Sequence, residues 1–217
     1  AQAKVRLSAI NLLVQVAKAV NIRELFGYYS SLVGNEGLSY NLVNDSNPRL
    51  TAVAASTIAF LLGNAKSYFA QAQQSSVTSY TPFSSVLASL LDSLHQCVIR
   101  SLNVTGSMSV LHCACSLVDV TPYHRMKPGL LSPLVHAALP HLRHKEMVVS
   151  VAALTLVGCV VAVDPQTDDL RQLLTLSHLD CLPDIPETPE RSWVLSAAFQ
   201  YFESDSQKAV SVPLRHR

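Results

Sequence analysis

The sequence predicts an all-α protein, a right-handed α-α superhelix of stacked two-helix repeats, on three observations. Seven glycines in 217 residues and no β-branched runs alternating with period two leave little from which to build a sheet. Hydrophobic residues reach 49% against 14% charged, a balance that suits helices burying two faces each. The stretch from Pro122 to Val163 reads as one complete helical hairpin. At 40–47 residues per pair the chain holds about five such pairs.

The hairpin sets the pattern. Its first half places Leu131, Leu134, Val135, Ala138 and Leu142 at helical spacing, with Pro133 near the start and Pro140 inside. A proline there kinks the helix. The second half, Met147 to Val163, carries no charge and is apolar almost all round, so it is expected to be covered on nearly every side. Val149, Ala153, Leu156, Val160 and Val163 make a large stripe. Ala152, Thr155, Gly158, Cys159 and Ala162 make a small one that admits a close neighbour. A kinked outer helix followed by a buried inner one is the unit of a helical repeat array.

Before the hairpin, Ala1 to Val20 opens directly in helical pattern with no polar cap, which suggests a piece of a longer array. Ile22 to Val33 reads as the next helix, and the Gly- and Asn-rich stretch Gly34 to Pro48 as a loop between repeats. Arg49 to Leu62 is a helix expected to stop at Gly63-Asn64, with a short helix from Lys66 to Gln73 and a Ser/Gln-rich loop at 74–79. Thr81-Pro82 is a helix start. From it Phe83, Val86, Leu87, Leu90, Leu91, Leu94, Cys97 and Val98 follow one face, opposite Ser85, Ser89, Asp92, Gln96 and Arg100. Met108 to Val120 is the partner helix, ended by Pro122.

After the hairpin come a helix from Pro165 to Leu176, an extended proline-containing loop at 178–190, and a last helix from Ser192 to Phe202 carrying Trp193. The repeat domain is expected to span residues 1–203. Residues 204–217 are expected to form a polar, frayed tail.

The strings TPFSSVLASLLDSLHQCVIRSL (Thr81 to Leu102), TPYHRMKPGLL (Thr121 to Leu131) and RHKEMVVSVAALTLVG (Arg143 to Gly158), with the opening AQAKVRLSAINLL and LLGNAKSYFAQA (Leu61 to Ala72), resemble the domain of unknown function of the HEAT repeat-containing protein 6 family. The resemblance runs in order from Ala1 to about Val163, with Pro-Tyr-His-Arg its most specific part. It implies a solenoid of the HEAT/armadillo type within a larger intracellular repeat protein, with no catalytic residues to carry over. One departure stands out: HEAT inner helices often carry an arginine where Ser150 stands here, whereas Arg6 keeps the equivalent place in the first helix.

The chemistry-bearing residues point away from a reaction. His112-Cys113-Ala114-Cys115 and His95 with Cys97 invite a metal reading, but helical residues two apart project about 200° from one another. Structural zinc also takes four ligands, usually as two spaced pairs, and no second pair exists. His141 and His144 stand three apart at a helix end with no acidic or cysteine partner nearby, and are expected to be exposed. There is no Gly-x-Ser-x-Gly elbow, no glycine-rich phosphate loop and no histidine-glutamate-histidine pair. No cofactor, metal or small-molecule substrate is expected, and the chain is read as a non-enzyme. Five cysteines, most within apolar helical patterns, read as reduced and place the protein inside the cell, in cytoplasm or nucleus. The 17-residue uncharged run falls short of the ~20 residues that span a bilayer, so no membrane span is expected.

Charge is unevenly laid out although the net charge is only +1. Between Asp119 and Glu146 there is no acid, while Arg125, Lys127, Arg143 and Lys145 stand with His124, His136, His141 and His144. An acidic block follows: Asp164, Asp168, Asp169, Asp180, Asp184, Glu187 and Glu190, against Arg171 and Arg191. The two blocks either neutralise each other between repeats or leave a basic ridge for an acidic peptide or partner helix. Candidate partner-binding residues are Tyr123, His124, Arg125, Lys127, His141, Arg143, His144 and Lys145. The expected function is a non-enzymatic protein-protein interaction scaffold, contacting protein partners and neighbouring repeats of its own chain. An importin-like transport or nucleic-acid adaptor is the alternative, though four fixed charges without interleaved aromatics are a thin footprint for phosphate.

Overall fold

The structure, a computed structural model, describes residues 2–74, 82–175 and 193–194. Every regular element among the described residues is helical. In order these are α1 (Gln2–Ala19), α2 (Ile22–Phe26), α3 (Tyr29–Val33), α4 (Leu38–Asn44), α5 (Pro48–Gln74), α6 (Pro82–Val104), α7 (Met108–Val120), α8 (Leu131–Ala138), α9 (Met147–Val161) and α10 (Asp168–Thr175). Short 3-10 turns occupy Tyr123–Arg125 and Leu139–Arg143.

The helices pack in two rows. In one, α1 lies on α5, α5 on α7 and α7 on α9; in the other, α4 lies on α6, α6 on α8 and α8 on α10. Contacts of α4 with α5, α6 with α7 and α8 with α9 join the rows. The reason is visible in α5, where Leu50, Ala54, Ile58, Leu61, Ala65 and Phe69 recur every three or four residues and are buried. Its alanines let α7 approach closely, and α7 answers with buried Leu111, Ala114, Leu117 and Val118.

Polar contacts tie the rows at their edges. Arg6 Nη1 of α1 lies 3.0 Å from Oδ2 of Asp45, whose side chain is only 2% exposed. That contact is an ion pair without hydrogen-bond geometry, while Asp45 Oδ1 accepts the Asn47 N–H at 3.0 Å. Lys66 of α5 meets Asp119 of α7 at 2.6 Å. In α9, Ser150 stands where the resemblance leads one to look for an arginine, and its hydroxyl donates to the Leu142 carbonyl across the turn.

Five expectations are corrected. Gly63-Asn64 does not end a helix: the buried stripe continues through Leu61, Leu62, Ala65 and Phe69, and α5 runs unbroken to Gln74. The helix expected from Ile22 to Val33 breaks at Gly27-Tyr28 into α2 and α3. The stretch read as a loop from Gly34 to Pro48 holds α4, because Leu38, Ser39 and Leu42 form a buried face. Near Pro140, α8 gives way to a 3-10 turn, since proline lacks the N–H for the next helical bond. Finally, α9 is not covered on nearly every side: Met147, Val148 and Val151 are 60%, 58% and 46% exposed.

Near the other end, the Trp193 indole is buried and its Nε1–H donates to the Leu173 carbonyl of α10 at 2.8 Å. The Ser/Gln loop from Ser75 to Ser79, the Thr81 cap, Cys181, the loop at 178–190 and the tail at 204–217 lie outside the described residues. So does the predicted helix from Ser192 to Phe202, apart from Trp193 and Val194.

Candidate functional site

The candidate segment leaves α7 through Thr121, whose hydroxyl donates to the Leu117 carbonyl at 2.6 Å. The chain then turns through Tyr123–Arg125. Here the sequence expectation needs correcting. Tyr123 is not a surface contact residue; it is 6% exposed and packs edge-on to His95, with ring centroids 5.6 Å apart. Its Oη lies 2.8 Å from His95 Nε2, and His95 Nδ1 lies 2.7 Å from the Leu91 carbonyl. A carbonyl only accepts, so Nδ1 carries the proton and Nε2 accepts the Tyr123 O–H. Burial pushes the His95 pKa below its usual value and the Tyr123 pKa above its own, so this pair is neutral core structure.

The residues that follow reach solvent. His124, Arg125 and Lys127 are exposed, as are Arg143 and Lys145. Arg125 and Arg143 each engage a partner within the fold. Lys127 and Lys145 have no ion-pair partner among the described residues.

His141 and His144 depart from the expected exposure, both being half-buried. His141 Nε2 lies 3.1 Å from the Leu102 carbonyl at the end of α6, and its ring lies against Gly106, where a Cβ would come within 2.6 Å of Nδ1. His144 Nδ1 accepts the Glu146 N–H at 3.1 Å. The two imidazoles come together with centroids 6.4 Å apart. His141 ties the turn that carries Arg143 and Lys145 to the end of α6, and His144 bonds within that turn.

What the sequence reading missed is the apolar surface next to these cations. Met147, Val148 and Val151 open the first turns of α9 to solvent directly after Lys145 and Glu146, and Met108 on the adjacent α7 is 41% exposed. No sequence signal gave this face away, because a helix apolar all round does not say which side is covered.

Of the acidic block, Asp168 meets Arg171 within α10 at 3.7 Å. Asp180, Asp184, Glu187, Glu190 and Arg191 lie outside the described residues.

Of the described thiols, Cys97 and Cys113 are buried and Cys115 and Cys159 half-buried. Cys97, Cys113, Cys115 and Cys159 are free, and burial pushes Cys113 up to about 12. Cys115, half-buried on α7, is also pushed up to about 12, by burial first and by neighbouring Cys159 of α9 second. Cys113 is fully buried while Cys115 is partly open, so the two thiols occupy different surroundings on α7. Among the described residues no group of three histidine, cysteine, aspartate or glutamate side chains is placed to hold a metal ion. Among the same residues no helix is long and apolar enough to cross a membrane.

A family model described as a domain of unknown function (DUF4042) matches residues 4–170. No solved structure matches the chain.

Proposed function

We propose that this chain, which belongs to the domain of unknown function (DUF4042) family, is a non-enzymatic scaffold that binds protein partners. The observation that carries the reading is the open apolar face of Met147, Val148 and Val151, which follows Arg143, Lys145 and Glu146. An apolar strip bordered by cations suits an amphipathic helix with acidic flanks: its apolar residues cover the valines and its carboxylates meet the basic edge. Such a surface excludes water at its centre and keeps charge at its rim, where it sets orientation and encounter rate.

The architecture in this reading is a right-handed superhelix of the HEAT/armadillo type. Its support is the successive packing of α1, α5, α7 and α9 beside α4, α6, α8 and α10. The narrower kinship with HEAT repeat-containing protein 6 belongs to the same proposal and rests on the quoted strings. An intracellular setting fits the free thiols.

The test is affinity purification of the full-length protein as wild type and as Lys145→Glu/Val148→Ser. Both side chains are exposed, so the variant is expected to keep its helical circular dichroism. A partner recovered with wild type and reduced about tenfold or more with the variant supports the reading. Equal recovery of every partner contradicts it.

A further inference from the structure

A cleft lies between α4 and α6, on residues that the basic segment does not include. Along α6, Ser89, Ser93, Gln96 and Arg100 recur at helical spacing, with Asp92 on their flank, and together they form one wall of a cleft. The other wall is Asn35 with Ser39, Tyr40, Val43 and Asn44, so α4 presents two i, i+4 pairs to the groove. The space is about 450 Å³.

The cleft is preorganised. The Ser93 hydroxyl donates to Asn35 Oδ1 at 2.7 Å, and the Cys97 thiol reaches the same oxygen at 3.8 Å. Ser39 is buried and donates to the Val33 carbonyl. Asn35 is therefore held with its acceptor occupied by the protein, which leaves its NH2 donors for a ligand's carbonyl. Asn44 and Gln96 offer both donor and acceptor, the complement of a peptide bond. Among the described residues neither Asp92 nor Arg100 has an ion-pair partner.

From these features the geometry points to a binding site for an extended peptide segment bearing a basic and an acidic side chain four residues apart. Asp92 and Arg100 are eight residues apart on α6, about 12 Å along the axis. In an extended strand, residues i and i+4 share a face and stand about 13 Å apart. One cation and one anion at that spacing meet both charges of the wall at once, and the carboxamides take the main chain between them. A free amino acid is too short to reach both. Tyr40, 54% exposed, supplies an apolar lip for the side chain between the two charges.

The experiment is fluorescence anisotropy of the full chain with three labelled heptapeptides: Ser-Lys-Thr-Val-Thr-Glu-Ser, the same with lysine and glutamate exchanged, and the same with serine at both charged places. Testing both charge orders covers either chain direction. One charged order is expected to saturate, to weaken as salt rises, and to lose about fivefold or more in affinity in Arg100→Asp. The double variant Asp92→Lys/Arg100→Asp is expected to prefer the opposite charge order. Failure of both charged peptides to saturate, binding equal to that of the serine peptide, or an unchanged order preference in a folded double variant overturns the proposal.

Discussion

At the residue scale, the buried polar contacts decide which side chains belong to the core and which to the surface. Tyr123 sits in the most specific string of the sequence, yet it serves the core through its bond to His95, 28 residues earlier. Tyr123→Phe leaves His95 Nε2 without its donor, and leaving a buried acceptor unpaired costs about 1–3 kcal/mol. The midpoint of urea unfolding at pH 7 measures that loss. Protonation reports on the same pair. Burial lowers the His95 pKa in the folded state, so below the unfolded value of about 6.5 the unfolded chain takes up a proton that the folded chain refuses. Its contribution to stability is complete above that pH and is lost as pH falls. Denaturation at pH 7 and pH 5.5 is expected to show a drop that His95→Gln reduces. Arg6→Ala is expected to cost about 2 kcal/mol, because it leaves the carboxylate of Asp45 buried without its cation. An unchanged midpoint counts against a structural role for that pair.

At the scale of single elements, the contrast between α5 and α9 shows how far a sequence reaches. The amphipathic face of α6 was legible because its apolar residues recur at helical period against a polar opposite side. The continuation of α5 through Gly63 was not, since a glycine followed by asparagine carries the local signature of a helix end. Packing of Leu61, Ala65 and Phe69 overrides that local preference. Glycine at position 63 is therefore a cost without a purpose. A Cβ there meets nothing within 4 Å, and Gly63→Ala is expected to stabilise by about 0.5–1 kcal/mol. A loss of stability in that variant contradicts an unbroken α5. In α4, Leu38 and Leu42 carry the helix, but a seven-residue segment with two buried leucines between Gly and Asn gives too short a period to read. For α9 the difficulty is the reverse: with every face apolar, only its neighbours determine that Val148 and Val151 remain outside.

At the scale of the whole molecule, the helices of each row pack on their neighbours and the two rows pack on each other. The all-helical class and the central hairpin were legible because periodicity is local. The candidate site was legible only in part. Lys127, Arg143 and Lys145 announce themselves by charge. The half-burial of His141 against Gly106 and the open face of α9 arise from contacts between distant segments. The proposed function is to hold a partner on the start of α9. The most direct measurement is hydrogen-deuterium exchange of the full-length protein, free and bound to a partner that copurifies with it. Exchange is expected to slow across residues 141–155 in the complex, and that slowing to be lost in Lys145→Glu/Val148→Ser. Saturating partner with unchanged exchange over those residues would contradict it.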